Sequence, residues 1–63
     1  MPLITVDWWQ GNDRGRRAEL VAEVTKTVSR VAGCPDEAVT VIVRDVDPAF
    51  WGKGGRLSDT LTD

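Results

Sequence analysis

Apolar and polar residues alternate from residue 4 to residue 8, in a run rich in β-branched and aromatic side chains. Residues 3–9 have the sequence LITVDWW. In an extended chain Ile4, Val6 and Trp8 fall on one face, and the residues between them fall on the other. This alternation predicts a first β-strand over residues 3–9.

A helical period replaces the alternation after residue 13. Apolar side chains recur every three or four positions between residues 14 and 32, which predicts a helix of about five turns with one buried stripe. The stripe consists of Leu20, Val21, Val24, Val28 and Val31. Asn12 or Asp13 can cap the first turn. Gly33 suits the left-handed position that ends many helices, and Pro35 cannot continue one.

A second alternating run follows a short turn at residues 36–38. It predicts a strand over residues 39–46, with Thr40, Ile42 and Arg44 on one face, and Asp47-Pro48 ends it. Residues 50–55 place an aromatic pair before a glycine-rich turn, which predicts a small β-hairpin. We expect the polar segment from residue 56 to 63 only to dock at a partner surface.

The order strand, helix, strand predicts a β-α-β unit of the α/β (α+β) class, with two parallel strands and a right-handed crossover. A C-terminal hairpin completes a single domain over residues 1–63. One helix can cover only one face of a two-stranded sheet, so we expect the other face to be buried against further subunits.

Chain length supports association of identical chains. A domain of 63 residues and 6.9 kDa buries only about 60% of its unfolded surface, which is marginal for a monomer. With a single cysteine, Cys34, and no histidine, the chain cannot form an internal disulfide and offers few ligands for a structural metal. Oligomerisation is the remaining means of stabilisation.

The charge balance excludes several classes of function. Eight basic against ten acidic side chains give a net charge of -2, which argues against a general nucleic-acid partner. No window approaches the ~20 apolar residues of a membrane span, and the N-terminus lacks an export signal. We therefore expect a cytoplasmic protein without a membrane partner.

Pro2 is the residue with the most informative chemistry. An initiator methionine before a small residue is normally removed, which would leave Pro2 as a terminal secondary amine. An ordinary α-amino group titrates near ~8, and burial in an apolar pocket disfavours its charged form. The neutral amine could abstract a proton and return it elsewhere. The structural alternative is that Pro2 only begins an edge strand.

Several short motifs occur together at characteristic positions. They are Pro2-Leu3-Ile4 at the start, Gly11 before the helix, residues 32–35 (AGCP) after it, and residues 51–55 (WGKGG). In this pattern, which extends from residue 2 to about residue 55, the chain resembles the 4-oxalocrotonate tautomerase family of the tautomerase superfamily. The resemblance implies a β-α-β protomer that pairs into dimers and assembles as a trimer of dimers, from one chain or two related ones. It also implies catalysis without a cofactor.

The resemblance implies roles for particular residues. Pro2 matches the family's catalytic base, and Trp51 occupies the position of its pocket aromatic. The family binds its carboxylate substrate with arginines, but the corresponding positions here hold Asn12 and Thr40. Replacing an arginine with a neutral side chain removes a full charge from the site.

Three other cations are candidates to replace those arginines. Lys53 is the first choice, and Arg44 and Arg14 are the others; the structural alternatives are a solvated lysine at a turn and, for Arg44, an ion pair with an acidic neighbour. Trp9 matches a pocket wall, so that Trp9 and Trp51 would favour a small or flat substrate. Equally, these tryptophans could seal contacts between subunits.

These observations predict a tautomerase that interconverts enol and keto forms of a small carboxylate substrate, with Pro2 as base and then acid. Two alternatives stay open. One is hydration or dehalogenation of unsaturated acids, which lacks a dedicated acidic water activator here. The other is a non-catalytic role, as a binding module or as the arginine-poor subunit of a mixed hexamer.

Overall fold

The computed structural model describes residues 1–60. Two longer strands flank one helix, and a short hairpin follows. The elements are β1 (Leu3–Trp9), α1 (Arg14–Ala32), β2 (Thr40–Val46), β3 (Gly52–Lys53) and β4 (Arg56–Leu57). Single 3-10 turns occupy residues 36–38, 48–50 and 58–60. The predicted order of elements is confirmed.

The two long strands pair in parallel, with Leu3 opposite Thr40 and Trp9 opposite Val46. Alternate residues of β1 are half-buried on the face towards α1 and exposed on the other, as the alternation predicts. β2 begins at residue 40 and not 39, because the Val39 N–H bonds the Asp36 carbonyl at 3.0 Å and closes the preceding turn.

Both ends of α1 are set by local signals in the sequence. Asp13, and not Asn12, is the N-cap, and its Oδ1 accepts a hydrogen bond from the Arg16 N–H at 2.8 Å. Gly33 is left-handed at φ 73°, and its N–H bonds the Ser29 carbonyl at 2.9 Å. The predicted bounds of the helix, residues 14 and 32, are confirmed.

The apolar stripe of α1 is shorter than predicted. Leu20, Val21, Val24 and Val28 are half-buried, but Val31 is 72% exposed. A 19-residue helix is about 28 Å long and a seven-residue strand about 23 Å, so the last turn of α1 extends beyond the sheet. The prediction that Val31 is buried was wrong for this reason.

Asp45 joins three elements on the helix side of the sheet. Its Oδ1 accepts a hydrogen bond from the Trp8 indole N–H at 2.6 Å, and its Oδ2 lies 3.4 Å from Arg17 Nη1. Trp8 and Asp45 are opposite each other in the strand register, and Arg17 lies in the second turn of α1. The carboxylate therefore ties the start of the helix to the ends of both strands.

The segment after residue 55 is part of the protomer. Arg56–Leu57 pairs with Gly52–Lys53 around a turn in which Gly54 and Gly55 have φ of 61° and 82°. Ser58 is only 2% exposed, and its N–H bonds the Trp51 carbonyl at 2.7 Å. The prediction that this segment only docks at a partner was wrong for residues 56–60; residues 61–63 lie outside the described part.

Within residues 1–60 no apolar side chain is fully buried. On the face of the sheet away from the helix, hereafter the open face, Leu3 is 62% and Ile42 45% exposed. The described residues therefore leave apolar surface exposed and form no further layer that covers it. None of the helices in the described range is long and apolar enough to cross a membrane.

Candidate active site

Pro2 lies at the amino end of the sheet. Its carbonyl accepts a hydrogen bond from the Thr40 N–H at 3.1 Å, which places Thr40 beside it at the start of β2. Pro2 is half-buried, whereas Thr40 is exposed on the open face. These two predicted site residues are therefore neighbours, and the backbone that carries Pro2 is held by the sheet.

Two tryptophans meet near the opposite end. Trp9 is the last residue of β1, and its ring lies edge-to-face with that of Trp51, with centroids 6.2 Å apart and planes at 87°. Asn12 donates a hydrogen bond from Nδ2 to the Trp9 carbonyl at 3.1 Å. The structure thus brings together three of the predicted site residues.

A compact turn brings Trp51 back to Trp9. The Asp47 side chain accepts a hydrogen bond from the Ala49 N–H at 2.9 Å, and its carbonyl accepts one from Phe50 at 2.8 Å. Pro48 begins the 3-10 turn that reverses the chain after β2. The bond from the Ser58 N–H then holds the Trp51 carbonyl, so the backbone of Trp51 is fixed on both sides.

The proline and the tryptophan pair are too far apart to form one pocket within a single protomer. Pro2 and Trp9 are separated by seven residues of extended chain, which is about 23 Å. One chain therefore presents two half-sites, Pro2 with Thr40 at the amino end and Trp9, Trp51 and Asn12 near the carboxyl end. Only a second chain could bring them together.

The candidate cations differ in their surroundings. Arg44 Nε bonds Asp7 Oδ1 at 2.9 Å on the open face, so Arg44 forms the ion pair that was its structural alternative. Lys53 is exposed in β3, two residues after Trp51. Arg14 lines a groove between α1 and β2, away from the tryptophan pair. Of the three cations, Lys53 is the best placed to bind a substrate carboxylate beside the tryptophan pair.

Two open grooves flank the helix. One of about 440 Å³ lies between α1 and β2 over Val21, Val41 and Val43, and another of about 310 Å³ contains Trp8 and Asn12. Neither is lined by Pro2 or by the Trp9–Trp51 pair. Residues 1–60 hold no cluster of three side chains that could ligate a metal ion.

Asp45 was not among the candidate residues found from the sequence. It orders the end of β1 through Trp8, directly before Trp9. One sequence signal could have identified Asp45 as a candidate. The alternation of β2 places its carboxylate on the side of the sheet that faces the helix. Only the register, which sets Asp45 opposite Trp8, shows its partner.

This arrangement, a β-α-β unit with a terminal hairpin, also occurs in proteins already described. The chain belongs to the tautomerase family: the family's sequence profile, described as Tautomerase enzyme, matches residues 2–60. A probable tautomerase of Ralstonia nicotianae is 33% identical over 57 residues, covering 90% of this chain and 88% of that protein. One of Streptococcus thermophilus is 41% identical over 57 residues, with 90% and 93% covered.

Solved structures agree with the family assignment. TomN, a 4-oxalocrotonate tautomerase homologue in the tomaymycin biosynthetic pathway, superposes with a TM-score of 0.90 at 36% identity, covering 94% of this chain and 91% of TomN. A structure from work on the 4-oxalocrotonate tautomerase isozymes of Methylibium petroleiphilum gives 0.92 at 26% identity, with 98% and 100% covered. Family membership supports an isomerase-type enzyme of the tautomerase class.

Proposed function

We propose that this chain is a cofactor-independent tautomerase of small enol and keto carboxylates, with Pro2 as the proton-transfer group. The observation that carries the proposal is the match to the tautomerase profile, which begins at residue 2 and extends through the hairpin. Pro2 is half-buried at the start of β1. Once Met1 is removed, a second chain packed over its nitrogen would desolvate that amine and favour its neutral form.

The reaction moves one proton and changes no other atom. In ketonisation the enol O–H bond breaks and its electron pair forms the C=O bond, while the electron pair of the C=C bond takes up a proton at the adjacent carbon. The neutral Pro2 amine accepts the first proton and the resulting ammonium delivers one to carbon, which regenerates the base. A cation at the carboxylate orients the substrate and stabilises the enolate oxygen.

The complete site needs at least two copies of the chain. A second copy docked by the open face would supply its Trp9 and Trp51 to Pro2 of the first, which the separation along β1 prevents within one chain. The exposed Leu3 and Ile42 supply apolar surface for such docking. We propose a hexameric assembly of single-domain chains that acts in the cytoplasm, where the unpaired Cys34 would remain reduced.

Replacement of Pro2 tests the mechanism. Mass spectrometry first establishes whether Met1 is removed, since a retained Met1 would turn the Pro2 nitrogen into an amide and refute the mechanism. Pro2→Ala, which also permits removal of Met1, should lower kcat/KM for phenylenolpyruvate about a hundredfold. Pro35→Ala is the matched control at an exposed proline and should leave turnover near wild type. Equal activity of Pro2→Ala and wild type would refute the proline mechanism.

A second candidate is a subunit that is catalytically incomplete by itself. It is favoured by the ion pairs of Arg44 and Arg17, because a neighbouring carboxylate already offsets the charge of each guanidinium. A heterohexameric 4-oxalocrotonate tautomerase from Chloroflexus aurantiacus shares the fold, with a TM-score of 0.91 at 24% identity. A homogeneous hexamer with full activity from this chain alone would exclude a mixed assembly.

A further inference from the structure

We infer that the site prefers an enol monocarboxylate with a flat aromatic substituent over an enol dicarboxylate. This inference rests on the proposed function and names the substrate class of the same site. It follows from how apolar surface and positive charge are distributed around the Trp9–Trp51 pair.

The tryptophan pair offers two apolar planes at a right angle. The rings of Trp9 and Trp51 are at 87° to each other, and Trp9 is still 47% exposed. A flat aryl group can stack on one indole and meet the other at its edge, and both geometries are favourable between aromatic rings. A carboxylate in the same place would lose water without gaining a partner.

Positive charge lies on one side of that pair. Trp51 and Lys53 are two residues apart in extended backbone and so share one face of the hairpin, and Arg56 is directly opposite Lys53 in the register. Side chains opposite each other across two strands are close neighbours, with Cβ atoms about 5 Å apart. Lys53 and Arg56 can therefore converge on a single carboxylate.

Within the described part of one chain, the other positions around the pair offer little charge for a second carboxylate. The charge of Arg44, on the same face as Trp9, is offset by the Asp7 carboxylate 2.9 Å away. Asn12 is neutral, and its amide already donates to the Trp9 carbonyl. A dicarboxylate carries its two anions at opposite ends of an extended molecule, so one end would lie against indole rings and an amide. An anion left without a cation there is costly.

Three enol acids test the preference for an aromatic substituent and the preference for a single carboxylate separately. Phenylenolpyruvate has one carboxylate and a ring, 2-hydroxypenta-2,4-dienoate has one carboxylate and no ring, and 2-hydroxymuconate adds a second carboxylate to the latter. We expect kcat/KM to fall in that order, with a loss of about ten- to a hundredfold between the two dienoates from the unpaired charge. A dicarboxylate turned over as well as the matching monocarboxylate would overturn the inference.

Variants then test the residues. Lys53→Met and Arg56→Met should lower kcat/KM for all three acids alike, while Lys26→Met, on the exposed surface of α1, should not. Trp51→Leu should reduce phenylenolpyruvate turnover more than that of the ring-free monocarboxylate, and the neighbouring Phe50→Leu is its control. Asn12→Arg should raise activity on 2-hydroxymuconate selectively, by adding a cation at the apolar end.

Binding separates this inference from the proposed function. Quenching of tryptophan fluorescence by 3-phenylpropanoate and by muconate, which do not tautomerise, reports affinity without catalysis. If none of the enol acids reacts, the proposed function is wrong; tighter binding of 3-phenylpropanoate, lost in Trp51→Leu, would still support the preference. Equal or tighter binding of muconate would overturn the preference whatever the activity.

Discussion

Asp45 is the polar side chain on which the end of the sheet depends. It accepts the Trp8 indole hydrogen bond and pairs with Arg17, and through Trp8 it orders the strand end that carries Trp9. Both charged partners are partly exposed, with side-chain exposures of 43% for Arg17 and 32% for Asp45. Solvent therefore screens the ion pair, and most of the contribution comes from the hydrogen bond.

Two substitutions of Asp45 separate these contributions. Asp45→Asn keeps a carbonyl oxygen for Trp8 and loses only the ion pair, so it should lower the free energy of unfolding by less than about 1 kcal/mol. Asp45→Ala loses both partners and should cost about 1–2 kcal/mol. Urea unfolding at fixed protein concentration measures the difference, with Asp36→Ala as an exposed control. Equal losses for the two Asp45 variants would contradict this account.

At the scale of elements, the ends of α1 show which features the sequence could predict. Asp13 and Gly33 form hydrogen bonds with residues only three or four positions away, so the bounds of the helix could be predicted from the local sequence alone. The packing of residues 56–60 could not be predicted in this way, because Ser58 is buried and its N–H bonds the Trp51 carbonyl on the other side of the hairpin. Local signals set where an element begins and ends, whereas contacts between elements depend on the fold.

Gly15 in α1 and Gly33, which caps its end, should respond in opposite ways to substitution by alanine. Gly33→Ala forces a side chain into left-handed backbone at φ 73° and should cost about 1–2 kcal/mol, although the added methyl meets nothing within 4 Å. Gly15 lies inside the helix, and the methyl group added by Gly15→Ala would make only an ordinary 3.5 Å contact with Asp13. This substitution should raise the free energy of unfolding by about 0.5–1 kcal/mol. Thermal unfolding of both variants checks the signs; destabilisation by Gly15→Ala would show that the first turn is constrained otherwise.

At the scale of the whole molecule, the protomer has no fully buried apolar side chain among residues 1–60. The open face keeps Leu3 and Ile42 in contact with solvent, and no element within that range covers them. The sequence predicted this need for association from length and from the one-sided sheet. The sequence could not show which site residues lie at the same end of the sheet, because their positions follow from the parallel register of β1 and β2.

Stability should therefore depend on protein concentration. If folding and association are coupled, the unfolding midpoint in urea rises as the chain is concentrated, because mass action favours the assembled state. Ile42→Asp, in the middle of the open face, should abolish assembly and most of the folded signal in circular dichroism. Thr27→Asp on the exposed side of α1 is the matched control. A midpoint that stays constant over a hundredfold range of concentration would contradict coupled association.

The distance between Pro2 and Trp9 along β1 has a genetic consequence. If each cavity draws its base from one polypeptide and its aromatic wall from another, two defective alleles can rescue each other. Co-expressed Pro2→Ala and Trp51→Ala chains would form some cavities with both lesions and some with neither, and the intact ones would restore part of the turnover that each homogeneous variant lacks. No rescue in mixed assemblies would mean that each cavity is built from a single polypeptide.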